Sequence, residues 1–169
     1  MTEMMDAISS RSRAVDGVNT SLADLGYVDV GLDDGWQLDN SGPGGAGYHN
    51  ASGFPNVDAR KFPSLAAMTA HGHALNLTVG WYANNCHDAE GGAEPAPLSH
   101  YLGDAAAFRA FGFDSHKLDS CGAQKNMQLW ADLLPGVLLE NCKNSPWFPE
   151  RVRRSPPTPR PPRRPPSLL

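Results

Sequence analysis

FDSHKLDSCG, residues 113–122, places Lys117, Asp119 and Cys121 on alternate positions just ahead of a helix-like segment. Period two sends those three side chains to one face of a strand and His116, with Asp114, to the other, where His116 is expected to pack toward a helix. Three further runs read as strands: GYVDVGLDD (26–34), LTVGWYANN (77–85) and GVLLENC (136–142). Between them lie helix-like stretches. PSLAAMTAHGHALN (63–76) opens on proline, SHYLGDAAAFRAFG (99–112) has Ser99 as a candidate N-cap and Gly112 as a stop, and AQKNMQLWADLLPG covers 123–136. A fourth helix is expected over 2–24. Strands alternating with helices imply parallel pairing with right-handed crossovers. In such an array the strand-to-helix loops share the face at the strands' C-terminal ends. Each strand places its polar residues there: Asp33–Asp34, Asn84–Asn85, Lys117–Asp119 and Glu140–Asn141. Four apolar strand bodies ending in polar groups look like one active-site rim.

The charge divides the chain in two. Residues 1–150 carry 8 Lys/Arg against all 18 Asp/Glu, a net of −10, whereas the last 19 residues carry six Arg and no acid. The acidic body argues against nucleic-acid binding, which needs clustered cations on the folded surface. No apolar run is long enough to span a bilayer, and MTEMMDAISSRSRAVDG lacks the apolar centre of a signal peptide. Residues 1–150 are therefore expected to form one α/β domain. Residues 151–169, RVRRSPPTPRPPRRPPSLL, form a Pro/Arg-rich tail expected to be disordered or polyproline II. Arg153-x-x-Pro156-x-x-Pro159 and Pro159-x-x-Pro162-x-Arg164 have the form docked by SH3 grooves, although any Pro/Arg-rich stretch yields such matches. Cys86, Cys121 and Cys142 have no metal spacing, and His71, His73, His87 and His116 form no metal constellation. No metal is expected.

Over roughly Leu22–Cys142, the order GYVDVGLDDGWQ, KFPSLAAMTAHGHALNLTVGWYANNC, DAAAFRAFGFDSHKLDSCG resembles the family 27 α-galactosidases, retaining (β/α)8 glycosidases. Shared features are a strand ending Asp-Asp-x-Trp, a Phe-Pro helix start, a strand ending in Tyr, and Lys-x-Asp-x-Cys on the next strand. The resemblance implies a partial (β/α)8 TIM barrel of about four parallel strands. It makes Asp119 the nucleophile, Lys117 a sugar-binding ammonium beside it, Asp33 and Asp34 ligands of the galactose hydroxyls, and Tyr82 an aromatic wall of the pocket. It also implies a Cys86–Cys121 disulfide, no cofactor, an α-galactoside substrate, and a secreted or lysosomal/vacuolar setting. The residues alone leave Cys86 and Cys121 open as two buried free thiols, and Cys142 is expected to be a buried free thiol. A nucleophilic carboxylate must stay ionised, which a nearby ammonium favours, and carboxylates are apt acceptors for sugar hydroxyls.

Departures from the family pattern bear on activity. Retention needs a second carboxyl about 5–5.5 Å from the nucleophile. That acid/base has no match here, the chain turning at Arg151 into the tail, as in a shifted frame or alternative splice. The first barrel strand is also unmatched. Lys143 stands where relatives often read the sugar's 2-position, which leaves an α-N-acetylgalactosaminidase as an alternative, and Gly35 replaces a cysteine. The expectation is a weak or inactive hydrolase whose two bare sheet edges favour association between copies or with a second fragment. The competing expectation is a non-catalytic product whose tail binds SH3-like modules. Asn19, Asn50 and Asn76 begin N-x-Ser/Thr triplets that are common by chance.

Overall fold

The computed structural model describes residues 1–38, 48–83, 96–119 and 124–142. The tail, Asn84, Asn85, Cys86, His87, Cys121 and Lys143 lie outside the described residues. The elements run α1 Thr2–Ser9, β1 Arg13–Val15, β2 Val18–Thr20, β3 Asp29–Gly31, α2 Leu65–Ala74, β4 Thr78–Ala83, α3 Leu98–Phe111, β5 Ser115–Leu118, α4 Met127–Leu133 and β6 Leu138–Asn141. From β3 onward strand and helix alternate. The sheet is four-stranded, ordered β3-β4-β5-β6, and every pair in it is parallel.

The four strands lie where the sequence places them, each shorter than its apolar run. Helix α2 begins one residue after Ser64, whose hydroxyl accepts the Ala67 N–H at 3.1 Å. Helix α3 stops at Gly112, which takes the left-handed conformation (φ 78°) that a side chain resists. Its start differs from the Ser99 expectation. The flanking residue is Pro97, at φ −57°, with no side-chain cap, and Ser99 lies inside the first turn. Asn126 caps α4 through a bond from Leu129 N–H at 3.0 Å, so this helix starts later than 123.

The helix expected over 2–24 is corrected. It ends at Ser9, and β1 and β2 follow as an antiparallel hairpin paired Arg13↔Thr20 to Val15↔Val18. Asp16 and Gly17 form the two-residue turn, both at positive φ (51° and 79°). That is the primed turn preferred by Asp-Gly between β-branched residues, and it wins over helix propensity.

All three helices that follow β3 cover one face of the sheet. Val30, Val79, Trp81, His116 and Leu118 point into that layer and are buried. Phe108 of α3 lies 6.0 Å from Trp81, and Trp130 of α4 lies 4.5 Å from His116. Helix α2 joins through Gly72, where an added Cβ would sit 2.6 Å from the Val79 side chain. The opposite face carries rows of other character. Gly31, Gly80, Ser115 and Leu138 form one, and Tyr82, Lys117 and Glu140 form the next. A doubly wound sheet carries helices on both faces, whereas an arc of a barrel carries them on its outside alone. Among the described residues no helix is long and apolar enough to cross a membrane.

Candidate active site

The rim is built from the ends of β3, β4 and β5. Leu32 N–H still bonds Gly80 O at 2.9 Å, keeping β3 in register up to the residue before Asp33. The chain then turns sharply: Asp33 Oδ1 accepts the Asp34 N–H at 2.8 Å, and Asp34 Oδ1 accepts the Gly35 N–H at 2.7 Å. Asp119 follows β5, its N–H bonded to Ala83 O at 3.2 Å. Tyr82 and Lys117 are register partners on neighbouring strands, so their side chains leave the same face side by side.

These groups meet. Lys117 Nζ donates to Asp33 Oδ2 at 2.7 Å and lies 5.1 Å from the centre of the Tyr82 ring. The Tyr82 hydroxyl donates to Asp119 Oδ2 at 2.9 Å. The hydrogen bond from Lys117 holds the Asp33 carboxyl below the usual carboxylate range, helped by the Asp34 N–H. The same bond raises Lys117 above its ordinary value. Burial, then donation to Asp119, then the negative field of Asp34, Asp119 and Asp33 push the Tyr82 phenol far up, so it remains a donor at any physiological pH. The fields of Asp33, Asp34 and Asp119 all reach this one hydroxyl.

The charge of Asp119, two residues on, also raises Lys117, so the ammonium stands beside that carboxylate. The hydrogen bond of Lys117 goes to Asp33, 84 positions away, while Asp119 receives the tyrosine. Cys142 is corrected. It is exposed, because period two along β6 puts it with Leu138 and Glu140 on the uncovered face. Its thiol is raised, chiefly by partial desolvation and against the pull of Lys117. Among the described residues no group of three His, Cys, Asp or Glu side chains is placed to hold a metal ion.

One rim residue carried more than its motif suggested. Trp36, fully buried, donates its indole N–H to Tyr82 O at 3.0 Å and ties the Asp33–Asp34 turn to the end of β4. The signal was an aromatic two residues after the acidic pair.

No family model matches the chain. The probable α-galactosidase B of Penicillium simplicissimum is 31% identical over 129 residues, covering 76% of this chain and 27% of that protein. The α-galactosidase of Cyamopsis tetragonoloba is 32% identical over 104 residues, covering 62% of this chain and 24% of that protein. The chain is a relative of the α-galactosidases. Among solved structures, α-galactosidase of Saccharomyces cerevisiae with raffinose superposes with a TM-score of 0.60 at 21% identity, covering 83% of this chain and 30% of that one. That likeness concerns the fold: the four parallel strands and the three helices after β3 are an arc of a (β/α)8 barrel, with the open sheet face as its inner wall. The chain spans about a quarter to a third of the length of these α-galactosidases.

Proposed function

We propose that residues 1–150 form part of the catalytic domain of a retaining α-galactosidase, with 151–169 a separate Pro/Arg-rich tail. The observation that carries the reading is the paired contact across the strand ends, Lys117 to Asp33 and Tyr82 to Asp119. In this reading Asp33, Asp34 and Lys117 take the galactose hydroxyls. Carboxylates accept from hydroxyl donors and the ammonium donates to hydroxyl oxygens, so the trio reads both polarities of a sugar edge. The Tyr82 hydroxyl holds one oxygen of Asp119 so that the carboxylate faces the anomeric carbon. Asp119 attacks, and water later releases galactose from the ester.

Departure of an alcohol needs a proton from a second carboxyl. We assign that role to no described residue, and we expect the 169-residue polypeptide alone to turn over ordinary galactosides at background rates. Among the described residues no strand pairs with the outer edges of β3 and β6, which supports association of this polypeptide with the strands that complete a barrel.

The test uses an activated α-galactosyl fluoride, whose leaving group needs no proton. Asp119 Oδ forms a bond to the anomeric carbon, the C–F bond breaks, and fluoride departs. Peptide mass spectrometry should find the galactosyl group on Asp119 and none in Asp119→Ala. Labelling elsewhere, or none while the chain is folded, would sink the assignment.

A further inference from the structure

Beneath the rim lies a polar cluster that the sugar chemistry does not use. Asp104, on α3, is wholly buried, and its two carboxylate oxygens face two different segments of chain. Oδ1 meets His49 Nε2 at 2.9 Å, and Oδ2 accepts the Gln124 side-chain N–H at 2.8 Å. The His49 and Asp104 side chains are 1% and 0% exposed, and burial raises the Asp104 carboxyl against the bonds from His49 and Gln124. His49 belongs to the loop that follows β3 and Gln124 to the segment between Asp119 and α4. One buried carboxylate thus holds two of the loops that leave the rim.

Each arm has a route upward. The His49 ring packs 4.2 Å from Tyr48, Tyr48 meets Trp36 edge-on at 5.9 Å, and Trp36 donates to Tyr82 O. The Gln124 carbonyl accepts the Trp130 indole N–H at 3.0 Å, so this arm is anchored to α4 and stands five residues beyond Asp119. Loop and helix also approach too closely for any side chain at the contact: a Cβ on Gly103 would lie 1.8 Å from Gly53 O. Apolar contacts slide, whereas hydrogen bonds in a dry interior have set lengths and directions. Burying a carboxylate is costly for stability, and an apolar group of the same shape often serves as well. Its distinctive capability is registry.

We propose that Asp104 is a positioning residue. From α3 it clamps the loop carrying Asp33–Asp34 against the segment following Asp119, and so sets the spacing of the rim carboxylates from below. This rests on the reading of those aspartates given above, but its test needs no ligand, so the two can fail separately.

The experiment compares amide and indole hydrogen exchange in three variants of the full chain. His49→Phe keeps a ring and removes the donor; His49→Gln keeps an N–H able to reach Asp104; Gln124→Leu cuts the other arm. In His49→Phe the Trp36 indole N–H and Asp119 amide should exchange about tenfold faster, the equivalent of one buried hydrogen bond, relative to the Val79 amide within the sheet. His49→Gln should restore most of this. Gln124→Leu should speed Asp119 and leave the Trp36 indole near its starting rate. Acceleration confined to residues 48–58 would overturn the proposal, as would uniform acceleration that His49→Gln fails to rescue. Should His49→Phe not fold, the Gln124→Leu contrast between Asp119 and Trp36 decides alone.

Discussion

His116 makes the fold acid-sensitive by an amount that can be calculated. It sits in β5 at 0% exposure, ringed by Trp130 at 4.5 Å, Trp81 at 5.8 Å and Phe108 at 6.1 Å, and neither ring nitrogen has a hydrogen-bond partner. Burial alone pushes its imidazole down to about 3. An unfolded histidine titrates near 6.5. Below that pH the unfolded chain takes up a proton that the folded chain refuses, so stability is complete above 6.5 and falls toward acid until the folded group itself protonates. Each pH unit in that window is worth about 1.4 kcal/mol, so about 2.7 kcal/mol is lost by pH 4.5. For a chain of this size that is a fall of roughly 5–10 °C in Tm. His116→Phe removes the proton uptake, keeps an aromatic ring among the same neighbours, and discards two unsatisfied nitrogens. It should be at least as stable as wild type at pH 7 and about 2–3 kcal/mol more stable, relative to wild type, at pH 4.5. Urea melts at half-unit pH intervals measure both. Parallel pH profiles for the two proteins between 6.5 and 4.5 would refute the reasoning.

Lys117→Met should raise the Asp33 carboxyl back toward the ordinary range, read by carbon-detected NMR titration. Because Asp33 is 68% exposed at the side chain, global stability should fall by less than about 1 kcal/mol. Gly103→Ala should cost several-fold more than the roughly 1 kcal/mol gain that helix propensity alone would give, since its Cβ would collide with Gly53 O; chemical denaturation decides the sign. Trp36→Phe removes the donor to Tyr82 O from a buried site and should destabilise by about 1–3 kcal/mol, checked by the same melts. Cys142 should react with a disulfide reagent in the native state and faster as pH rises toward 9, with Cys142→Ser as the blank; protection of this thiol would contradict its exposure.

Much of the scaffold was legible because its signals are short-range. Alternation marked the strands, Gly112 marked the end of α3, and polar residues at successive strand tips marked the rim. The hairpin at Arg13–Thr20 was missed although Asp16-Gly17 announces it, because a short turn signal was outweighed by the polar, helix-compatible residues around it. Other features had no local signal. The Lys117–Asp33 and His49–Asp104 partners stand 84 and 55 residues apart, and only tertiary packing brings them together. Across a parallel sheet the strand ends, rather than sequence neighbours, decide who meets whom.

That geometry divides labour between the two faces of one sheet. Strand residues of odd and even parity in β5 have opposite environments: His116 and Leu118 are buried under α3 and α4, while Ser115 and Lys117 line the uncovered side. A substitution on the helix-covered side acts through packing and should move stability first. One on the uncovered side removes little from the core and should move electrostatics first, as the Lys117–Asp33 pair does through two mutual shifts. His116→Phe and Lys117→Met are adjacent in sequence and should therefore have nearly orthogonal effects, the first on the acid limb of the stability profile and the second on the titration of Asp33. If both moved the same observable, the division of labour between the two faces of the sheet would have to be abandoned.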